Sequence, residues 1–150
     1  MSPYITPVRM DKTFEELAKD EVGTIYYREH DEGLEFLILH GPSSLCAYVG
    51  VPKNHPLAGH SYDHLPVRCH GGLTYGRYGG EKSLMPDNKF WYGWDYAHSG
   101  DRDFRDRGPR EDEHAWTVDD VKKDSQESLW DFHGLIKLSE SIYKKAKWEE

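Results

Sequence analysis

The apolar positions of this chain fall into short runs through the first two thirds and into a helical rhythm at the end. Thr13 and Glu16 have the form of a capping box, and Phe14, Leu17 and Ala18 give the following turn one apolar side, predicting a short helix over about 14–20. TIYYREHDEGLEFLILHG then reads as a hairpin: a β-rich run at 24–29, a turn over His30 to Gly33, and an apolar run at 35–40. LCAYVGV at 45–51 predicts a third strand, stopped by Pro52. VRCHGGLTYG at 67–76 resumes a strand-like pattern, in which Gly71 and Gly72 suggest a bulge or a close approach of the backbone. Residues 90–98 form the strongest strand candidate. Val121, Leu129, Phe132, Leu135, Ile136 and Ile142 recur near helical spacing behind Thr117 and Asp120. They predict one long helix over about 118–147 whose stripe covers a sheet face, with Gly134 a weak spot.

Between these segments lie an extended, Pro-broken start (MSPYITPV) and loops over 53–66, 76–88 and 101–113, the last densely and oppositely charged. There are no internal repeats and no linker, so residues 1–150 are expected to form one domain. Strands in one block with helices at both ends predict an α+β fold. Its mostly antiparallel sheet of about five strands is packed by a short N-terminal and a long C-terminal helix.

Composition sharpens this picture. Apolar residues make up 37% of the 150, with much of the bulk in 5 Trp and 10 Tyr, so a few large rings must anchor the core. The formal charge of -8 argues against general nucleic-acid binding, which needs a phosphate-neutralising basic surface. The first twenty residues lack an apolar run and no segment reaches the ~20 apolar residues that span a bilayer, so no membrane association is expected and the cytoplasm is the expected location. Cys46 and Cys69 each sit in an apolar, strand-like context and are expected to be reduced core thiols.

Three clusters carry candidate chemistry. In FWYGWDYAHSGD, five aromatic rings fall within seven residues, followed by Asp95, His98 and Asp101. Strand alternation puts Tyr92, Trp94 and Tyr96 on one side, and Trp91, Gly93 and Asp95 on the other. Asp95 is then either an acceptor for a base or sugar beside stacking rings, or the cap of the turn AHSGD. In HGGLTYG, starting at His70, Gly71 and Gly72 leave backbone N–H groups unshielded for an anion, with Thr74 and Arg77 nearby. No G-K-[ST] and no G-x-G-x-x-G is present, and a bulged strand explains the glycines equally well. Five histidines, His55, His60, His64, His70 and His98, occur among Asp63, Asp95 and Asp101, a ligand set suited to zinc or a related divalent metal, with His70, His98 and Asp101 the candidate ligands. His30, His40, His114 and His133 read as surface or boundary residues. Cys69 and His70 are adjacent on a strand and so point apart, which speaks against a Cys–His nucleophile pair.

The segments AYVGVPKNHPLAGHSYD, CHGGLTYG and FWYGWDYAHSGD, in that order, resemble the small accessory proteins of bacteriophage and prophage genomes with the pattern VGVPxxHP…HGGLTY…WxGxDxAHxGD. The likeness covers roughly residues 46–101 and, more loosely, the final helix. It departs in the charged loop 101–113 and in the Tyr-Gly-Arg-Tyr after Thr74.

This resemblance implies a phage accessory role in the host cytoplasm and suggests counter-defence. The leading expectation is a non-catalytic protein that sequesters a small phosphate-containing, nucleotide-derived signal. Trp91 and Trp94 would stack its base, the backbone of His70, Gly71 and Gly72 with Arg68 or Arg77 would hold phosphate, and Asp95 and His98 would fix its polar edge, with Thr74 and Asp101 also among the expected ligand-binding residues. A stacked ring contributes about 1–3 kcal/mol, whereas a Kd near 10 nM requires about 11 kcal/mol. Many converging groups or a homo-oligomer sharing the pocket are therefore expected. The alternatives are a metal-dependent hydrolase or phosphodiesterase using His70, Asp95 and His98, and an inhibitor that binds a host defence protein directly.

Overall fold

A computed structural model of the chain describes residues 10–80, 83, 85–105 and 110–149. The expected extended start at 1–8 lies outside the described residues, as do parts of the loops at 76–88 and 101–113. Five antiparallel strands form one sheet: β1 (Ile25–Asp31), β2 (Leu34–His40), β3 (Leu45–Pro52), β4 (Tyr75–Tyr78) and β5 (Lys89–Asp95), in the order β1-β2-β3-β5-β4. A short helix α1 (Phe14–Ala18) precedes them, and α2 (Val118–Asp124) and α3 (Gln126–Glu149) follow. The expected α+β architecture is the observed one.

Local signals account for the element starts. Thr13 accepts the Glu16 amide while the Glu16 carboxylate accepts the Thr13 amide, the reciprocal pair of a capping box; Thr117 and Asp120 repeat it at the start of α2. The anticipated single C-terminal helix is divided at Ser125, which ends α2. Gly134 does not interrupt α3.

Strand alternation divides the side chains as expected. On the helix side, Phe36, Ile38, Ala47, Val49, Tyr92 and Trp94 pack with Val121, Phe132 and Ile136. The opposite face carries Leu37, Leu39, Cys46 and Trp91, all 7% exposed or less, with Met85 against them. Glycines on this second face pair with rings across the β3–β5 ladder: Gly50 opposes Trp91, and Gly93 opposes Tyr48. A Cβ on Gly50 would meet the Trp91 ring at 2.7 Å and one on Gly93 the Tyr48 ring at 2.5 Å, so each glycine is the seat of an aromatic ring.

Three expectations are corrected here. The fourth strand is Tyr75–Tyr78, not 67–76, because residues 70–72 turn, with the Gly72 amide donating to the Cys69 carbonyl. His40 is buried at 4% exposure, stacked on Phe104 at 4.5 Å, and is not a surface residue. Ile142 is 60% exposed and leaves the packed stripe. At ~1.5 Å per residue α3 is about 36 Å long, whereas seven-residue strands extend about 23 Å, so the helix outruns the sheet it covers.

Candidate functional site

The site develops where β5 ends. Asp95 Oδ1 accepts the Ala97 amide at 3.1 Å, turning the chain out of the strand. A second turn follows, in which the Asp101 amide donates to the His98 carbonyl and the His98 amide donates to Asp101 Oδ2, both at 2.9 Å. The charged loop is not merely solvated: Arg102 donates its amide to the His114 carbonyl at 2.9 Å and the His114 amide donates to Gly100 at 2.8 Å, pinning its two ends together. That closure delivers Trp116 to Asp101, whose Oδ1 accepts the indole N–H at 2.8 Å.

His70 approaches from the other side. Its Nε2 lies 2.6 Å from Asp101 Oδ2, and its ring stacks on Tyr96 at 4.8 Å and meets Trp116 edge-on at 4.9 Å. His98 stands 5.6 Å away, ring centre to ring centre. The imidazoles of the HGG and AHSGD segments therefore converge, beside phenol and indole rings. His70 and His98 side chains keep 25% and 34% exposure, so the cluster opens to solvent. An open cavity of about 250 Å³ adjoins it, lined by Arg68, Cys69, His70, Asp124 and Glu127.

Gly71 explains part of this approach. It has φ +70°, and a Cβ there would lie 2.2 Å from His98 Nε2. The backbone must be bare for the imidazole to rest on it. Gly72, at φ +81°, has open space around its Cα and supplies only the turn. With its amide committed to Cys69, Gly72 offers no free N–H for an anion.

Hydrogen bonding in the cluster is uneven. Asp101, whose side chain is 3% exposed, accepts three N–H groups. Burial pushes its pKa up, but the bonds from His70, the His98 amide and Trp116 outweigh burial and hold it below the ordinary aspartate value. His98 Nε2 is buried and has no aligned partner. Asp95 Oδ1 is 3.2 Å from it, close enough for an ion pair with a protonated ring but outside hydrogen-bonding angles. Thr74 Oγ1 reaches Asp95 Oδ2 at 3.4 Å.

The remaining sequence candidates sit elsewhere. Trp91 and Trp94 are 0% and 1% exposed, on opposite sheet faces, leaving no ring surface for a ligand; Trp94 donates its N–H to Tyr96 at 3.0 Å inside the core. Arg68 is bidentate to Asp131 at 2.9 and 3.0 Å and pairs with Glu127 at 2.8 Å, so it staples its segment to α3 with its charge already neutralised. Arg77 stands opposite Trp91 in the β4–β5 register, on the sheet face away from the Tyr96 ring that carries His70. Among the described residues no group of three His, Cys, Asp or Glu side chains is arranged to hold a metal. The oxygens of Asp101, one of the proposed ligands, are occupied by N–H donors. Burial, with Asp124 adding to it, pushes the Cys69 thiol up to about 12, so it is no nucleophile at neutral pH.

Two contributors escaped sequence reading. Tyr96, taken only as a strand residue, is the platform under His70 and donates its OH to Asp124 at 2.8 Å. Trp116 lies between a charged loop and a helix, where a lone indole in so polar a stretch is its only sequence signal. Among the described residues no helix is long and apolar enough to cross a membrane. Comparison with protein-family models, curated proteins and solved structures finds no match for this chain.

Proposed function

We propose that this chain is a phage accessory protein, acting against host defence, that captures a small nucleotide-derived ligand at the His70 side of the His70–His98 cluster and does not turn it over. One observation carries the ligand half of this reading. His70, with its side chain 25% exposed, lines the open cavity of about 250 Å³ and, among the described residues, has no hydrogen-bond partner at Nδ1. The phage half rests on the resemblance of the VGVP, HGGLTY and AHSGD segments.

The cleft favours contact with a part of the ligand other than its phosphate, since Arg68 is already paired and Arg77 is on the far face. A hydrogen bond contributes about 1 kcal/mol net, and a Kd near 10 nM requires about 11 kcal/mol. Self-association that completes the cleft is therefore part of the proposal. The test is incubation with a panel of linear and cyclic nucleotides, followed by heat denaturation and chromatography of what is released. Intact recovery of one species supports capture; depletion of none refutes it.

The Asp101–His70 couple favours a second reading, a hydrolase in which His70 is a general base oriented by Asp101. Altered species in the released pool would select it, and H98A would then retain substrate binding.

A further inference from the structure

The hydrogen bonds around Asp101 determine which proton His70 carries, and with it the chemistry the cleft accepts. An ionised carboxylate has only lone pairs. Its two oxygens here receive the Trp116 indole N–H at 2.8 Å, the His98 amide at 2.9 Å and His70 Nε2 at 2.6 Å. Because Asp101 cannot donate, the hydrogen in the last contact belongs to Nε2. In the neutral imidazole, which has one N–H, Nδ1 is then a bare lone pair, and no hydrogen bond is made to it among the described residues.

We infer that Trp116 is a positioning residue that holds His70 in its Nε2–H form through Asp101, so that the group taken at Nδ1 is an N–H donor, such as the exocyclic amine of a nucleobase, and not a phosphate oxygen. The inference rests on the small-ligand reading of the cleft and narrows it. Its surroundings agree: Arg68, the cation lining the adjoining cavity, is already paired with Glu127 and Asp131, and Asp124 adds a further carboxylate, so the cavity has no unpaired positive charge for a phosphate. Trp116 is the element that makes the arrangement rigid. Without its N–H, Oδ1 of Asp101 has no donor and the carboxylate is held through Oδ2 alone, by the His98 amide and His70, which weakens its grip on one tautomer.

Long-range nitrogen–proton spectra of the full-length labelled protein at pH 7.5, with His70 assigned by H70Q, read the tautomer directly. The expected signature is a protonated Nε2 and a bare Nδ1; a protonated Nδ1 in the free protein overturns the inference whatever the cleft binds. Titration calorimetry with adenosine against inosine, cytidine against uridine, and inorganic phosphate reads the ligand class. The amino member of at least one pair is expected to bind tenfold or more tighter than its oxo counterpart and to shift Nδ1. Equal or stronger binding of the oxo member, or a phosphate-induced shift of Nδ1, overturns the donor assignment. Binding by none of the four nucleosides, with Nε2 protonated, overturns that assignment together with the reading beneath it. W116F keeps a ring against His70 and Tyr96 and removes the N–H. It is expected to show mixed tautomers and to lose the amino preference with its far-ultraviolet circular dichroism unchanged; a pure Nε2–H signal in W116F refutes the positioning role.

Discussion

Replacing Gly71 by alanine tests the geometry of the cleft most directly, because Gly72 next to it supplies an internal control. Both residues have a left-handed φ, +70° and +81°. An alanine in that region costs about 1–2 kcal/mol at either position. They differ in what the new methyl meets. At Gly72 there is nothing within 4 Å, whereas at Gly71 the methyl falls 2.2 Å from His98 Nε2. Restoring an ordinary contact of about 3.5 Å moves the imidazole by roughly 1.3 Å. His98 is one-third exposed and can swing outward, so the extra cost is that of an off-rotamer side chain, about 0.5–1.5 kcal/mol. G72A should thus lose about 1–2 kcal/mol and G71A about 2–3 kcal/mol, a difference readable as separated urea midpoints. The functional difference should be larger: in G71A the His98 ring resonances move and ligand capture is lost, whereas in G72A both persist. Equal midpoints together with unmoved His98 resonances in both variants would show that the imidazole does not rest on Gly71.

Other consequences follow from the same contacts. D101N should destabilise the protein by about 2–3 kcal/mol, since it unsettles hydrogen bonds to a buried charged group. Because the Asp101 pKa is lowered on folding, its stabilisation is present above the ordinary aspartate pKa and lost as pH falls through the folded value; the urea-midpoint gap between wild type and D101N should therefore shrink on acidification, and a gap constant down to the acid limb would refute the assignment. Burial pushes the thiols of Cys46 and Cys69 up to about 11 and about 12, so iodoacetamide should label the native protein at neutral pH far more slowly than the urea-unfolded chain; equal rates would contradict the described burial. F132A, at a fully buried site facing Tyr92, should cost about 3–5 kcal/mol, and W130S, at a site 77% exposed, under about 0.5 kcal/mol by chemical denaturation. Similar losses in the two would mean that the outer face of α3 is covered.

Periodicity and capping residues were sufficient for the architecture. Thr13 with Glu16 and Thr117 with Asp120 mark helix starts by hydrogen bonds made within four residues. Alternation in residues 34–51 and 89–96 separates two sheet faces because successive strand side chains point oppositely. These are local effects, and local effects are written in order along the chain. The same reading found His70, Asp95, His98 and Asp101, the four polar residues that do meet.

Roles that depend on partners distant in sequence were decided only by the fold. Trp91 and Trp94 look like ligand platforms until the ladder seats one over Gly50 and buries the other beneath the helices. Arg68 looks like a phosphate anchor until Asp131, 63 residues later, neutralises it. Gly71 resembles a strand bulge, and only the arrival of His98 shows why a side chain is forbidden there. Whether a charge is free, a ring exposed or a glycine obligatory depends on what the packed chain brings within a few ångströms, and spacing along the sequence carries no record of that.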